Sequence, residues 1–254
     1  MSVATLTPPR IVTDLDRYNF DLNGFVVIPD VLDHEAVARL NDLVERHLAV
    51  LERATPGKRL GGFGSMLPVA AEFRALIDHE PLIPYLTEWL GPDYRLDHDY
   101  AMVIRPGSSE KGATHIHGGH TPYNASRIYS CINGAIHSTE TAVSYALTDV
   151  RPGDGGMGVI PGSHKANFPL PWAADPGPYS DSNLRQVPIR AGSAVIFTES
   201  LTHCTLPWRS DQVRRALFYK YTPRHITVSK AVYDRPSLPG LTPRQRAMLD
   251  PAHS

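Results

Sequence analysis

The sequence predicts an all-β core with flanking helices, arranged as an antiparallel sandwich or a small barrel. From Tyr100 onward, short apolar runs alternate with clusters of glycine, proline, aspartate and asparagine, a pattern typical of strands separated by turns. The runs are rich in valine, isoleucine, tyrosine and phenylalanine, and no long helical pattern lies between them. Strands that follow one another without intervening helices favour antiparallel pairing over a parallel sheet.

Two helical segments are predicted before these strands. Asp33 is a favourable N-cap, and apolar residues recur behind it at helical spacing up to about Leu51, which indicates an amphipathic helix. A second helical zone covers roughly residues 70–90 and ends at Gly91, with two prolines interrupting it. The predicted strands are residues 24–29, 101–104, 142–147, 157–160, 193–197 and 216–221.

The chain is predicted to form one domain over residues 1–254, because it contains no internal repeat, linker or low-complexity tract. The core of this domain covers about residues 20–225, and residues 226–254 form a C-terminal extension. The extension carries several prolines, and we expect it to wrap the surface or to pack on a neighbour.

Composition excludes several classes of function. The formal net charge is −1 and 20% of the residues are charged, so the chain lacks the basic surplus of proteins that bind nucleic acids or anionic membranes. The N-terminal segment has neither a signal-peptide pattern nor an apolar run long enough to span a membrane, and we expect a cytoplasmic protein. Cys131 and Cys204 are too few for a disulfide framework or a thiolate metal site. No polyanionic partner is therefore expected, and the oligomeric state stays open.

Three histidines crowd the segment ATHIHGGHTPY, residues 113–123. On a strand, His115 and His117 would point to the same face, because side chains alternate with period two. Two neutral imidazoles side by side make a ready metal site. Gly118 and Gly119 remove side chains just beside them, as a close backbone bend or a bound ligand requires.

A later histidine and arginine strengthen the case for a ligand site. In TESLTHCTLPWRSDQVRRALFYKY, His203 follows a predicted strand, and Arg214 stands eleven residues later at the start of the next. Histidine is a common metal ligand, and a planar guanidinium suits a carboxylate with two parallel hydrogen bonds. Arg215 is the rival of Arg214, but strand alternation sends the two side chains in opposite directions.

Sequence stretches spread over most of the chain share one resemblance. They are GFVVIPDVLDHEAVARL at 24–40, ALTDVRPGDGGMGVIPGSHK at 146–165, and the interval from His203 to Arg214. Together they resemble the phytanoyl-CoA dioxygenase family of iron(II)- and 2-oxoglutarate-dependent oxygenases. The resemblance spans about residues 20–225 and implies a double-stranded β-helix, which is a cupin-like jelly-roll.

The resemblance also implies an activity and its residues. It implies a non-haem dioxygenase that uses Fe(II), 2-oxoglutarate and O2. Such an enzyme oxidises, most simply hydroxylates, an unactivated C–H bond of a small-molecule or natural-product substrate. It releases succinate and CO2. His117 and His203 are the implied iron ligands. Arg214 is the implied partner of the distal 2-oxoglutarate carboxylate, and the Thr205 hydroxyl either supports that carboxylate or satisfies the local backbone.

The carboxylate ligand that this family places two residues after its first histidine is missing. If His117 is the first ligand, Gly119 occupies that place; if His115 is first, three imidazoles hold the metal. A glycine there resembles the iron- and 2-oxoglutarate-dependent halogenases, in which a halide takes the vacant position. A remote carboxylate, Glu140 or Glu199, is a third alternative, although both are expected to be solvated charges at strand ends.

The segment 121–138 is expected to cover the site and to help choose the substrate, with an ordinary surface loop as the alternative. Tyr123, Arg127 and His120 are the candidate substrate contacts, whereas His164 in PGSHK is expected to serve turn formation and packing. Two other functional classes stay open. One is a catalytically inactive β-barrel that binds a small ligand, and the other is a cupin-type metal hydrolase or isomerase that does not use 2-oxoglutarate.

Overall fold

The computed structural model describes residues 10–54, 61–107, 114–170, 183–229 and 233–252, with Gly62, Thr114 and His115 described by their backbone alone. The helices are α1 (Asp14–Asn23), α2 (His34–Ala54), α3 (Ala71–Arg74), α4 (Ile83–Leu90) and α5 (Pro243–Met248). The strands are β1 (Phe25–Ile28), β2 (Gly62–Phe63), β3 (Tyr94–Ile104), β4 (Thr114–His117), β5 (Tyr129–Ile132), β6 (Ala135–Ser138), β7 (Thr141–Ala146), β8 (Gly156–Val159), β9 (Arg185–Gln186), β10 (Ala194–Thr198), β11 (His203–Leu206) and β12 (Arg214–Pro223).

The strands form two antiparallel sheets that pack against each other. The large sheet has the order β1-β10-β7-β12-β3-β2, the small sheet has the order β4-β11-β8-β9, and β5 and β6 form a separate hairpin. One apolar cluster joins the sheets, with Phe197 and Phe218 from the large sheet and Met157 and Val159 from the small one. The predicted all-β core of jelly-roll type is confirmed.

The other face of the large sheet is covered by helices. Tyr219 and Tyr221 point to this side, and their hydroxyls donate to the carbonyl oxygens of Phe73 (2.8 Å) and Ile77 (3.0 Å). The same helix-side core contains the stacked rings of Phe20 and Trp89. Helices therefore close one face of the large sheet, and the other face is left for the small sheet and the space between them. No helix among the described residues has both the length and the apolar character needed to cross a membrane.

All six predicted strands are present, and the predicted helix after Asp33 is α2, whose Ala36 amide donates to the Asp33 carboxylate at 2.7 Å. The segment 121–138 differs from the expected loop, because its second half folds into the β5–β6 hairpin. The C-terminal extension also differs, since it forms α5 and contributes buried side chains to the helix-side core. These side chains are Leu238, Leu241, Met248 and Leu249.

Candidate active site

Strands β4 and β11 of the small sheet bring two histidines together. His203 lies directly opposite His117 in the antiparallel register, and their ring centroids are 4.0 Å apart. The His203 ring also packs on Phe197 of the large sheet, with 4.9 Å between centroids. Both imidazoles therefore lie in the space between the two sheets, where they line one cavity together with Arg214.

The hydrogen bond of His203 fixes which ring nitrogen is free. Its Nδ1 lies 2.7 Å from the carbonyl oxygen of Leu201. Because a carbonyl only accepts, Nδ1 carries the hydrogen and Nε2 presents a lone pair. Burial lowers the pKa of His203, so the ring is neutral at pH 7. A neutral imidazole held by a backbone carbonyl is the usual arrangement of a metal-ligating histidine.

The carboxylate of Glu199 lies beside the two histidines. Ligand atoms of His117, Glu199 and His203 all lie within 4.8 Å of one another, with 3.8 Å between His203 Nε2 and Glu199 Oε1. The expectation of solvated charges at strand ends is wrong, because Glu199 and Glu140 are each only 4% exposed. Glu199 directly follows β10 and extends the inward-facing positions of that strand.

Lys220 of β12 makes the burial of Glu199 possible. Its ammonium donates to Glu199 Oε1 inside the protein. Burial on its own would raise the pKa of Glu199, but the charge of Lys220 helps to outweigh burial and lower the pKa to about 2. The carboxylate is therefore ionised, as a metal ligand must be.

The glycines after His117 allow a close approach of the chain to β11. Gly118 has φ +81, and a Cβ there would lie 2.2 Å from the Leu201 carbonyl oxygen, the acceptor that orients His203. Gly119 has φ +92, and a Cβ would lie 3.3 Å from Thr202 Oγ1. A side chain at Gly119, including an aspartate in the family's carboxylate place, would thus start from a strained backbone.

We expect Gly118→Ala to destabilise the protein more than a matched glycine substitution. Gly134, in the β5–β6 turn, has nearly the same φ of +80, but an added Cβ there meets no described atom within 4 Å. Gly134→Ala therefore carries only the backbone strain, about 1 kcal/mol, whereas Gly118→Ala adds an overlap worth about 1–3 kcal/mol. Denaturant unfolding of both variants measures the difference. Equal losses would show that the close approach at Gly118 is unimportant.

Arg214 is buried in the same cavity and has no acidic partner in the part of the chain that the structure describes. It is 5% exposed, its Nη1 donates to Met102 Sδ at 3.3 Å, and no ion pair among the described residues includes it. Burial lowers its pKa to about 10, so the guanidinium stays charged. A buried charge without a counter-ion is costly, which indicates an anionic ligand in this cavity.

Arg214 and its neighbour Arg215 lie on opposite faces of β12 and contact different residues. Arg215 points to the other face of β12 and forms an ion pair with Glu45 of α2, as strand alternation predicted. Thr205 and Tyr100 line the cavity with Arg214. The Tyr100 phenol lies close enough to act on the pKa of the guanidinium.

The alternative metal ligand and the three candidate substrate contacts lie in different parts of the structure. The His115 side chain is outside the described residues. His120 borders a second cavity of about 610 Å³ that also reaches His117, whereas Tyr123 is 77% exposed and lines neither of these two cavities. Arg127 is close enough to act on the pKa of His203. Their predicted roles as substrate contacts stay predictions.

Sequence reasoning missed Lys220 and Tyr100, and it placed Glu199 in solvent. Strand alternation could have found Lys220, because it shares a face of β12 with Arg214 and Phe218. His164 behaves as predicted for a packing residue. Its Nε2 lies 3.0 Å from the Asp21 carbonyl oxygen, and its ring packs edge-on against the Tyr129 ring.

Comparison with known proteins finds similar sequences and similar solved structures. Dioxygenase olcK of Penicillium canescens is 23% identical over 245 residues, which cover 89% of this chain and 76% of the relative. HygX of Streptomyces hygroscopicus, solved with nickel and 2-oxoglutarate bound, superposes with a TM-score of 0.75 at 24% identity, covering 90% of this chain and 94% of HygX. HygX has also been solved with nickel, 2-oxoglutarate and hygromycin B, and that structure gives a TM-score of 0.72 at 22% identity, covering 90% of this chain and 94% of HygX.

SnoK, a non-haem α-ketoglutarate-dependent carbocyclase from nogalamycin biosynthesis, superposes with a TM-score of 0.65 at 22% identity, covering 95% of this chain and 94% of SnoK. At these identities the solved structures establish the fold. The family model described as phytanoyl-CoA dioxygenase (PhyH) matches residues 20–216, well over half of the chain. The chain therefore belongs to the phytanoyl-CoA dioxygenase family and is an iron- and 2-oxoglutarate-dependent dioxygenase, as its sequence predicted.

Proposed function

We propose that this enzyme binds iron(II) through His117, Glu199 and His203. The observation that carries the proposal is the meeting of these three ligand atoms within 4.8 Å in a space that also holds Arg214, which is buried and has no acidic partner among the described residues. Two neutral imidazole nitrogens and one carboxylate are the donor set of non-haem iron oxygenases, which leaves positions on the other side of the metal for ligands. The residues present therefore fit the metal.

The cosubstrate end of the cavity is built for a dicarboxylate. Arg214 pairs with the distal carboxylate of 2-oxoglutarate, and the Thr205 and Tyr100 hydroxyls lie in the same cavity as additional donors. Met102 and Phe218 give this cavity an apolar wall that suits the two methylene groups of the molecule. A charged pair enclosed by apolar side chains is strengthened by the low local dielectric.

Iron(II) with 2-oxoglutarate and O2 supplies an oxidant that removes hydrogen from an unactivated C–H bond, with succinate and CO2 as co-products. The chain holds the reactants in place and excludes water with aromatic rings such as Tyr100 and Phe218, which stack at 4.8 Å. We favour hydroxylation over halogenation, because Glu199 as third ligand leaves no ligand position free for a halide.

The substrate in this proposal is a small molecule, and the protein acts in the cytoplasm. The cavity of about 610 Å³ beside His117 has the volume of a typical small-molecule site. HygX was solved with hygromycin B, and SnoK is a carbocyclase. These relatives support a natural-product substrate and leave the outcome of C–H oxidation to experiment.

An anaerobic titration tests the proposal. Metal-free protein should develop a metal-to-ligand absorption band when iron(II) and 2-oxoglutarate are both added, and neither alone should produce it. Admitting O2 should then yield succinate, which a metal hydrolase or isomerase would not form. Chloride should leave the band unchanged, whereas a halogenase would respond to it. A protein that binds iron and 2-oxoglutarate only separately would contradict the proposal.

A further inference from the structure

The inner face of β12 carries charge at both ends of the space between the sheets. Arg214 and Lys220 point to this face with Phe218 between them. The six residue steps from Arg214 to Lys220 span about 20 Å at the usual strand rise. Since Arg214 marks the cosubstrate end, Lys220 marks an opposite end that the cosubstrate does not fill.

Glu140 lies at this opposite end, immediately before β7. Ala142, two residues later, is opposite both Lys220 and Phe197 in the sheet register and belongs to the cluster between the sheets. Alternation puts Glu140 on the same inner face. Burial and the charge of Glu199 raise the pKa of Glu140 to about 8, while the charge of Lys220 acts to lower it, as expected for a carboxyl near both groups.

Glu140 is a buried residue whose carboxyl has no partner within the described part of the chain. Its residue is 4% exposed, yet among the described residues no hydrogen bond or ion pair involves its side chain. Lys220 is engaged by Glu199, and the three grouped ligand atoms of the proposed metal site do not include Glu140. Because a buried carboxyl without a hydrogen-bond partner is unfavourable, a ligand that hydrogen-bonds to it would stabilise this position.

The backbone around Glu140 is held in place. The Glu199 amide donates to the Glu140 carbonyl oxygen at 2.9 Å. A chain of hydroxyls links the neighbouring strand ends, since Thr141 Oγ1 donates to Ser138 Oγ and Ser138 Oγ donates to Thr198 Oγ1, each at 3.0 Å. A side chain on such a rigid frame is well placed to recognise a ligand.

We propose that Glu140 is a substrate-binding residue whose carboxyl accepts a hydrogen bond from an amino or hydroxyl group of the substrate. The contact lies on the side of the metal ligands away from Arg214. This inference rests on the proposed function, because it takes a substrate held beside the proposed metal ligands as the partner of the Glu140 carboxyl. It names a substrate class: molecules that carry an N–H or O–H donor near the oxidised carbon.

Three probes with the same ring test this class: cyclohexylamine, cyclohexanol and cyclohexanecarboxylate. Each is added to protein loaded with manganese(II) and 2-oxoglutarate, and the paramagnetic relaxation of probe protons reports binding near the metal. The amine, the alcohol or both should bind, and the carboxylate should not. Glu140→Ala should weaken that binding by about tenfold or more, the loss expected when a buried hydrogen bond is removed.

Glu140→Gln distinguishes the two donor types. It should retain the alcohol, because the amide oxygen still accepts, and should lose the amine, because an amide cannot ionise to balance an ammonium group. Glu140→Gln should also keep the melting temperature of the wild type, since the carboxyl has no partner to lose, whereas a purely structural carboxyl would lower it. Glu35→Ala, on the exposed side of α2, is the matched control and should change none of these measurements.

Several outcomes would overturn the inference. They are a carboxylate probe that binds as well as the others, donor probes that bind Glu140→Ala as tightly as wild type, or no probe binding to wild type at all. Manganese and 2-oxoglutarate binding are measured first in wild type and in each variant. Their absence in wild type would refute the proposed function itself, whereas their presence with any of the outcomes above would refute only the role of Glu140.

Discussion

Replacing Arg214 with alanine should weaken 2-oxoglutarate binding by about 100-fold or more while iron(II) binding changes little. The guanidinium is buried without an acidic partner among the described residues, so a ligand carboxylate would be its counter-ion, and losing one member of a desolvated charged pair typically costs about 2–5 kcal/mol. Anaerobic titration of the metal-to-ligand absorption band with 2-oxoglutarate measures the loss.

Arg215→Ala is the matched control for that experiment. The two arginines are neighbours on β12, but Arg215 pairs with Glu45 on the helix-covered face. Its loss removes a partly exposed ion pair, worth about 1 kcal/mol or less, and should leave 2-oxoglutarate affinity within about twofold of wild type. A larger effect from Arg215 than from Arg214 would show that the cosubstrate lies elsewhere.

Replacing Glu199 with glutamine should weaken iron(II) binding by about 100-fold or more, because the neutral amide is a poor substitute for an anionic ligand. Isothermal titration of metal-free protein with iron(II) under anaerobic conditions measures this. In a halogenase-like site, where Glu199 serves only as the counter-ion of Lys220, iron affinity would instead stay near wild type and chloride would alter the spectrum.

A second variant separates ligand loss from damage to the fold. Glu199→Gln leaves Lys220 as a buried charge beside a neutral group, and breaking a buried pair in this way is strongly destabilising. The double variant Glu199→Gln with Lys220→Met removes both charges, so it should recover stability without recovering iron affinity. Recovery of iron binding in the double variant would show that the carboxylate is not a ligand.

Local sequence patterns were sufficient for most of the large sheet and for β8 of the small sheet. Runs such as residues 193–197 combine β-branched and aromatic residues with clear turn signals, and each became a strand. Helix α1 was missed because its apolar residues do not mark a buried face: Leu15 and Tyr18 are exposed, and only Phe20 is buried. Its N-terminal capping box, from Thr13 to Asp16, was the available signal.

The candidate site was partly predictable for a similar reason. The neighbouring glycines and the histidine-to-arginine interval singled out His117, His203 and Arg214 without any knowledge of tertiary contacts. Glu199 could not be assigned in this way, because its burial depends on Lys220, which lies on a different strand, twenty-one residues further along the chain. A charged residue looks solvated in sequence whenever its counter-ion is supplied by a distant element.

The proposed metal ligands come from both sheets: His117 and His203 belong to the small sheet, whereas Glu199 follows a strand of the large one. A metal held by all three would tie the two layers together at the centre of their interface. Its binding energy would then add to the cohesion of the whole sandwich, by about 2.7 kcal/mol when free metal exceeds its dissociation constant 100-fold. In such an arrangement the cofactor serves as a removable cross-link of the fold as well as a reagent.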